Sequence, residues 1–396
     1  MEIAVGFLPS RSLRMPPQTN YINATIMIPV CLQIATGTVF AKYEPGIITA
    51  SGMSEEYLTT HLPVIICFYG GERVSGGTDV PAWYPAPWVG RSQEHIVVAV
   101  QNRVSVLDFP ASRALKDQDL DILDRRAGNE WVHKNIAQLG VIPAQMSLWG
   151  QSAGAGSVDI QNFAYPGEPH VKGLVANPDS ALLTLDTRWT ENLGTNSPLL
   201  LHTLAARHEL NCPRKVPVSN ITAYRGSLND SGLKFSPFND NRVIFNNYTE
   251  RYLGKHLSNK PAIFVSRPKP WPCLPLDVLF HTQPPFDNIW GRLPTATSTA
   301  SGLGAYHTAE LPLIFGTSSI YGPDTLLEKD VSAKMQDRWL AFAKDPENGL
   351  SQHGWPGSTN REVLLLVDSV NQIVSSMVAD NVIDNACTSY YSSFLV

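Results

Sequence analysis

The sequence has no long apolar run, no block of basic residues and no closely spaced cysteines, and each absence excludes a class of protein. Its apolar stretches are much shorter than a membrane span, so we predict no transmembrane helix. Thirty basic residues face 35 acidic ones, a net charge of −5, so nucleic acid is not an expected partner. The five cysteines form no Cys-x-x-Cys pair, which argues against zinc-binding and thioredoxin-like proteins.

The chain is also poor in charge, with 16% charged against 43% hydrophobic residues, as suits a large globular core. We interpret residues 1–396 as a single domain, within which the proline-rich segment 266–295 is expected to be irregular. The amino-terminal residues include a short apolar piece without a basic region before it or a long apolar core. We therefore predict no secretory signal in them.

Predicted strands and helices alternate along the chain. Residues 62–69 and 95–100 are continuous apolar runs rich in valine and isoleucine, which is typical of strands buried on both faces of a parallel sheet. Residues 118–140 carry apolar side chains at helical spacing. A short strand over 145–150 leads into a helix over 152–164. The alternation predicts an α/β fold with a mostly parallel central sheet flanked by helices.

Two further elements are predicted in the second half of the chain. Residues 262–265 have the pattern of a strand just before the proline-rich segment. Residues 331–349 have apolar side chains at helical spacing and end in a proline and a glycine, so we expect a helix that packs on the core.

A serine with small neighbours follows the predicted strand 145–150. Gly150, Ser152 and Gly154 form the pattern Gly-x-Ser-x-Gly. In a nucleophile elbow this pattern lets the chain turn sharply from strand to helix, with the serine exposed at the turn. The serine would also lie at the carboxyl end of a strand, where parallel α/β sheets bind their ligands. A glycine-rich loop without chemistry is the alternative.

A nucleophilic serine needs a base and donors for an oxyanion. His307 lies on a predicted glycine-bounded loop well after Ser152, in the chain order expected for such hydrolases. An exposed loop histidine without a catalytic role is the simpler interpretation. The N–H of Ala153 is one expected donor. Gly70 and Gly71 directly follow the strand over 62–69 and offer further N–H groups, or form an ordinary turn.

Together these residues resemble the type-B carboxylesterase and cholinesterase family, most closely its fungal members. The resemblance extends from about residue 54 to the helix near residue 349 and is carried by LPVIICFYGGERVSGGTDVPAWYPAPWV, EHIVVAVQNRVSVLDFP, LDILDRRAGNEWVHKNIAQLG, MSLWGQSAGAGSV, NCPRKVP, GAYHTAELPLIFG and MQDRWLAFAKDPENG.

The resemblance implies an α/β-hydrolase fold, Ser152 as nucleophile and His307 as base. The interval of 155 residues between them is shorter than is usual for the family, so we expect a shortened lid region. It also implies an oxyanion hole from Gly70, Gly71 and Ala153. A small-molecule ester is the expected substrate, and neither a cofactor nor a metal is expected. The family is commonly secreted.

The sequence departs from the family's pattern at the catalytic acid and at the third glycine of the first turn. Glu72 stands where that third glycine belongs, and an inward carboxylate would oppose an oxyanion. Pro270 and Trp271 stand where the family carries its acidic residue. Asp277 and Asp287 are the nearest carboxylates downstream, and neither lies in a recognisable motif.

Other small residues of the family's pattern are also replaced. Asp108, Asp121, Val141 and Asp179 stand at turn glycines, and Pro178 stands at a serine behind the nucleophile. If those turns need positive φ angles, the replacements strain the backbone.

Two functions are therefore compatible with the sequence. The first is a serine carboxylic ester hydrolase that forms an acyl-enzyme on Ser152 with His307 as base. The second is a catalytically impaired or inactive hydrolase-fold protein that serves as a binding or interaction module. The intact serine and histidine favour the first, and the missing acid and Glu72 favour the second.

Overall fold

The computed structural model describes the chain in ten segments. These are residues 32–35, 62–78, 80–108, 119–139, 143–177, 239–266, 286–289, 310–355, 362–367 and 373–379, with isolated positions between them.

A single sheet runs through the described residues, in the strand order β1-β3-β2-β4-β5-β6-β7-β8-β9. The outer strands β1 and β9 pair antiparallel with their neighbours, and all the other pairings are parallel. The strands are β1 (Leu32–Ala35), β2 (Val64–Phe68), β3 (Ile96–Val100), β4 (Met146–Gln151), β5 (Gly173–Asn177), β6 (Ala262–Ser266), β7 (Phe286–Ile289), β8 (Glu362–Val367) and β9 (Ile373–Ala379).

Helices cover both faces of this sheet, so the α/β fold with a mostly parallel sheet is confirmed. The α-helices in the described segments are α1 (Ala86–Ser92), α2 (Leu120–Asn135), α3 (Ala153–Ala164), α4 (Tyr248–Leu253), α5 (Leu311–Phe315) and α6 (Leu326–Lys344). Helix α6 begins with a capping box, in which Thr325 and Glu328 satisfy each other's backbone N–H groups.

The two faces of the sheet bury different helices because successive side chains of a strand point to opposite sides. One face carries α1, α5 and α6, whose Trp88, Phe315 and Trp339 pack in a core rich in aromatic rings. The other face carries α2 and α3, whose Val132 and Val158 pack on β2, β3 and β4. Helix α6 therefore packs on the core as the sequence predicted.

The topology brings two strand ends together at the carboxyl edge of the sheet. Strand β2 pairs in parallel with β4, so that Phe68 lies beside Gly150. The turn that follows β2 and the turn that follows β4 are consequently neighbours, at the edge where parallel α/β sheets bind ligands.

Strand β7 lies inside the segment 266–295 that was expected to be irregular. Its backbone pairs with β6 and β8, and residues 267–285 and 290–295 lie outside the described ranges. Among the described helices, none combines the length and the apolar composition needed to cross a membrane.

Candidate active site

Ser152 stands between β4 and α3 in a strained backbone conformation. Its φ is 53° and its ψ is −127°, a combination that residues other than glycine rarely adopt. The Ser152 N–H donates to the Asn177 carbonyl of β5 at 3.0 Å, and the Ser152 carbonyl accepts from Gly156 N at 3.0 Å. These bonds fix the strained residue from both sides, as a strand–turn–helix elbow requires.

The glycines on either side of Ser152 are required by backbone crowding. We call residues 150–154 the elbow. A Cβ on Gly150 would overlap the Gly154 carbonyl and lie 2.7 Å from Ala155 N. A Cβ on Gly154 would overlap the Phe68 carbonyl and lie 2.7 Å from the Tyr69 carbonyl oxygen. The start of α3 thus crosses β2 and β4 so closely that neither position accepts a side chain.

The turn after β2 lies directly against the elbow. We call residues 70–75 the Gly70 turn. A Cβ on Gly70 would lie 2.8 Å from Ser152 Cβ and 2.7 Å from the Gln151 carbonyl oxygen, so only glycine fits there. Gly71 has a φ of 114°, and its carbonyl accepts from Val74 N and Ser75 N at 3.0 Å each. The turn is therefore tight and is packed beside the serine.

Two residues of the Gly70 turn occupy positive φ angles without being glycines. Glu72 has a φ of 55° and Arg73 a φ of 62°, so the backbone at this point is strained. The Glu72 side chain is exposed, where solvent screens its charge, whereas Arg73 is 4% exposed and points into the protein. The inward-pointing Glu72 that the sequence raised as a concern is not what the structure shows.

Arg73 belongs to a buried group of charges beneath the two turns. We call this group the Arg–Asp cluster, made of Arg73, Arg103, Asp108, Asp121, Asp124 and Arg125. Arg73 Nη1 lies 2.6 Å from Asp121 Oδ2, and Arg103 binds both oxygens of Asp124, at 2.7 and 3.0 Å. The Asp121 N–H donates to Asp108 Oδ1.

The expected backbone strain at Asp108 and Asp121 is not found. Asp108 has a φ of −96°, and Asp121 lies inside α2 without a positive φ. Both carboxylates serve the Arg–Asp cluster instead. Val141, Pro178 and Asp179 lie outside the described residues.

Burial governs the protonation of this cluster. Burial and the charges of Asp121 and Asp124 raise the pKa of Asp108 well above its ordinary value. Burial also raises the pKa of Asp124, although the bonds from Arg103 oppose the shift. Above the cluster, burial raises the pKa of the Tyr69 phenol to about 12. The charges beneath the turns are thus buried away from solvent.

A buried carboxylate that the sequence reasoning missed lies on the other side of the elbow. Glu310 precedes α5 and is 3% exposed. Its Oε1 accepts from Asn177 Nδ2 at 3.1 Å, and the Asn177 carbonyl is the one that accepts the Ser152 N–H. Glu310 falls three residues after His307 in an otherwise apolar stretch, and this lone acid was a signal that the sequence offered.

The structure brings part of the predicted site together. Ser152, Ala153 and the two glycines of the first turn meet at one edge of the sheet. The other predicted participants lie outside the described residues or are described only by their backbone: these are His307, Pro270, Trp271, Asp277 and Asp287. In the described ranges no group of three or more His, Cys, Asp or Glu side chains is arranged to hold a metal ion.

A small apolar cavity lies beside the elbow, on the face of the sheet opposite the Arg–Asp cluster. It is lined by Gly70, Gln151, Trp83, Trp149 and Leu311, among others. Trp83, an aromatic residue of the stretch VPAWYPAPW, forms part of the cavity wall. Its Nε1 donates to the Gly77 carbonyl at 2.9 Å, which holds the ring in place. Trp88 from the same stretch is completely buried against His95 and Phe315.

The chain matches a family model over residues 17–267, and that model describes the carboxylesterase family. Secreted lipase 5 of Gibberella zeae is 33% identical over an alignment of 383 positions, which includes 82% of this chain and 72% of the relative. Chlorogenic acid esterase of Aspergillus niger is 31% identical over an alignment of 430 positions, which includes 92% of this chain and 84% of the relative.

Solved structures agree on the fold. Juvenile hormone esterase from Manduca sexta superposes with a TM-score of 0.70 over 99% of this chain and 87% of that chain, at 15% identity. A PNB esterase superposes with a TM-score of 0.68 over 93% of this chain and 85% of that chain, at 17% identity.

At such identities the likeness to solved structures supports the α/β-hydrolase fold and nothing more. The comparisons give no support to the alternative of an inactive binding module. The family match and the fungal relatives confirm the resemblance seen in the sequence: the chain belongs to the carboxylesterase family and is a carboxylic ester hydrolase.

Proposed function

We propose that the protein hydrolyses small-molecule carboxylic esters through an acyl-enzyme on Ser152, with His307 as the base. The observation that carries this proposal is the strained Ser152 backbone, at φ 53° and ψ −127°, with Gly70 packed against it. Such strain persists only where the surrounding structure enforces it, and it concentrates at functional sites.

In the proposed reaction, Ser152 Oγ attacks the ester carbonyl carbon while His307 accepts the hydroxyl proton. The carbonyl oxygen becomes an oxyanion, to which the N–H groups of Gly70, Gly71 and Ala153 donate. Collapse of this intermediate breaks the bond to the alcohol, which leaves with the proton from His307. Water activated by the same histidine then releases the acid and frees Ser152.

A histidine base works best when a carboxylate orients it. Asp277 and Asp287 remain the sequence's candidates, and we add Glu310 because Asn177 links it to the elbow. The amide variants Asp277→Asn, Asp287→Asn and Glu310→Gln separate the three. The variant that removes the carboxylate orienting His307 is expected to have a kcat about 10⁴-fold lower than wild type, as the equivalent change does in a serine protease.

The substrate is proposed only as far as the ester bond. One relative is named a lipase and another a chlorogenic acid esterase, so their names point to different esters. A series of p-nitrophenyl esters from acetate to octanoate measures the preferred acyl length directly.

The same series tests the function. We expect turnover by the folded wild-type protein and none by Ser152→Ala. The matched control is Ser147→Ala, because Ser147 is buried on β4, the strand that leads to Ser152, and its hydroxyl has no hydrogen-bond partner in the described part of the chain. Ser147→Ala should retain full turnover. Turnover that survives in Ser152→Ala would overturn the proposal.

A further inference from the structure

Arg125 is a buried arginine whose guanidinium donates to main-chain carbonyls rather than to a carboxylate. It lies on α2 and is 1% exposed. Its Nη2 donates to the Tyr69 carbonyl at 3.1 Å, and its Nη1 donates to the Ala153 carbonyl at 3.1 Å. Asp121 Oδ2, a carboxylate oxygen of the cluster, is 4.0 Å away. A buried arginine normally forms a bidentate pair with a carboxylate, so the bonds of Arg125 to two main-chain carbonyls are unusual.

The two carbonyls belong to the two segments that meet at Ser152. Tyr69 immediately precedes Gly70, and Ala153 immediately follows Ser152. Because the peptide unit is planar and trans, a hydrogen bond that fixes the Tyr69 carbonyl also fixes the direction of the Gly70 N–H. The bond to the Ala153 carbonyl holds the peptide unit that follows Ala153, and with it the first residue of α3, whose own N–H belongs to the preceding unit. One rigid guanidinium fork therefore sets the Gly70 turn relative to the elbow.

The surroundings of Arg125 keep the fork in place. Its Nε donates to Asn102 Oδ1 at 3.1 Å, and Asn102 Nδ2 in turn donates to the Arg103 carbonyl at 2.6 Å. The guanidinium carbon lies 5.6 Å from the ring centres of Phe68 and of Tyr69.

Ser157 closes the arrangement on the α3 side. Its Oγ accepts from Arg125 Nη1 and donates to the Ala153 carbonyl at 2.8 Å. The Arg125 side chain is thus held at Nε and at both terminal nitrogens, so it resists a shift of either turn.

We propose that Arg125 is a positioning residue for ester hydrolysis, which aligns the N–H groups of Gly70 and Ala153 on one oxyanion. This inference rests on the proposed function of Ser152. Arg125 does not touch the substrate. Its effect passes through the Tyr69–Gly70 peptide unit, which carries the Gly70 N–H, and through the first residue of α3, whose carbonyl it binds. Lysine cannot replace it, because one ammonium group does not reproduce a planar fork that reaches two carbonyls.

The test compares Arg125→Lys with Arg126→Lys. Arg126 is the neighbouring buried arginine on α2, but it binds Glu130 at 2.5 Å and the Glu168 carbonyl at 2.7 Å, away from the elbow. Both variants are assayed with p-nitrophenyl butyrate below their melting temperatures. The rate is expressed per active site titrated with a fluorophosphonate. The affinity for an alkylboronic acid, which forms a tetrahedral adduct on the serine, is measured by calorimetry.

We expect Arg125→Lys to lower kcat per titrated site by about 10²-fold, as for the loss of one oxyanion donor, with KM within about 3-fold of wild type. The boronic acid should bind more weakly by a similar factor, and Arg126→Lys should change neither quantity beyond about 3-fold. Asn102→Ala, which leaves the guanidinium in place but frees its Nε, should show the same pattern at about 10-fold. This second variant keeps the test decisive if Arg125→Lys does not fold.

A variant that melts earlier but keeps its kcat per site and its boronic acid affinity would overturn the positioning role while leaving the proposed function intact. Wild-type protein that neither turns over esters nor binds the boronic acid would instead overturn the proposed function, and this inference with it.

Discussion

The elbow and the Gly70 turn lie side by side, yet their backbones are fixed by opposite means. The elbow is enforced by the absence of side chains, because backbone carbonyls fill the space beside Gly150 and Gly154. In the turn, Glu72 and Arg73 adopt positive φ angles, and a buried ion pair to Asp121 anchors Arg73. We therefore expect an added methyl group to disrupt the elbow and the loss of a buried charge to disrupt the turn.

Adding a single methyl group to the elbow should have the largest effect. Gly154→Ala places a Cβ on the Phe68 carbonyl, and a backbone atom cannot rotate away. We expect the free energy of unfolding to fall by more than about 5 kcal/mol, at the exceptional end for a point mutation, and ester turnover to disappear. Urea denaturation measures the first quantity.

Gly167→Ala is the matched control for the elbow, since nothing lies within 4 Å of the added methyl group. Its stability should stay within about 0.5 kcal/mol of wild type. A Gly154→Ala protein as stable as the Gly167→Ala protein would mean that backbone crowding does not enforce the elbow.

Removing the charge from the turn should have the next largest effect. Arg73→Met leaves Asp121 buried without its 2.6 Å partner. Breaking a buried pair in this way costs about 3–5 kcal/mol in the free energy of unfolding. Arg73→Met with Asp121→Asn should recover part of that loss, because the 2.6 Å pair is then removed whole while Arg125 loses only the more distant Asp121 oxygen at 4.0 Å.

Arg91→Met provides the comparison with a surface pair. Arg91 lies 2.7 Å from Asp337, and both side chains are about half exposed. We expect less than about 1 kcal/mol for this change. Equal effects of Arg73→Met and Arg91→Met in urea denaturation would contradict an electrostatic anchor for the turn.

The Arg–Asp cluster should also give the turn a pH dependence that the elbow, which has no titratable side chain, lacks. Burial and neighbouring carboxylates raise the pKa of Asp108, so the folded protein binds this proton more tightly than the unfolded chain does. Its contribution to stability is therefore lost as the pH rises from about 4 through the raised pKa. Asp108→Asn removes this titration and should flatten the curve.

We expect urea denaturation to show that wild type loses stability relative to Asp108→Asn between pH 4 and pH 8, because only wild type carries the carboxyl with the raised pKa. His95, whose pKa burial lowers to about 3, adds the opposite slope below its ordinary pKa. That contribution is common to both proteins and cancels in the difference. A difference that is constant across this range would show that Asp108 is charged throughout.

The exposed residue of the turn should matter least. Glu72→Gln removes a charge that solvent screens, so kcat/KM should change by less than about 3-fold. A rise of about 10²-fold, the scale of a restored oxyanion donor, would mean instead that the carboxylate opposes the oxyanion.

Local patterns predicted the elbow and four of the nine described strands of the sheet, β2, β3, β4 and β6. The strands expected over 62–69, 95–100 and 145–150 are β2, β3 and β4, each within two residues at either end. Helix α2 is shorter than predicted, because its last turn over Ile136–Leu139 is a 3₁₀ helix. These elements depend on residues that are close in sequence, which is why a single sequence predicts them.

The Arg–Asp cluster was not predicted, because its partners come from three segments distant in sequence. Asp121 and Arg125 lie on the α2 face that also carries Gly128 and Val132, so buried charge at helical spacing was the signal available. The carbonyls that Arg125 binds could not be inferred, since they depend on how β2 and α3 meet. His307 and its acid remain predictions from the resemblance.

The central claim, that Ser152 is the nucleophile, is tested most directly by covalent labelling. Folded protein is treated with a fluorophosphonate, digested, and mapped by mass spectrometry. We predict one adduct per chain, on the peptide that contains Ser152, and none in Ser152→Ala. An adduct on any other serine, or folded protein that takes no label at all, would contradict the account.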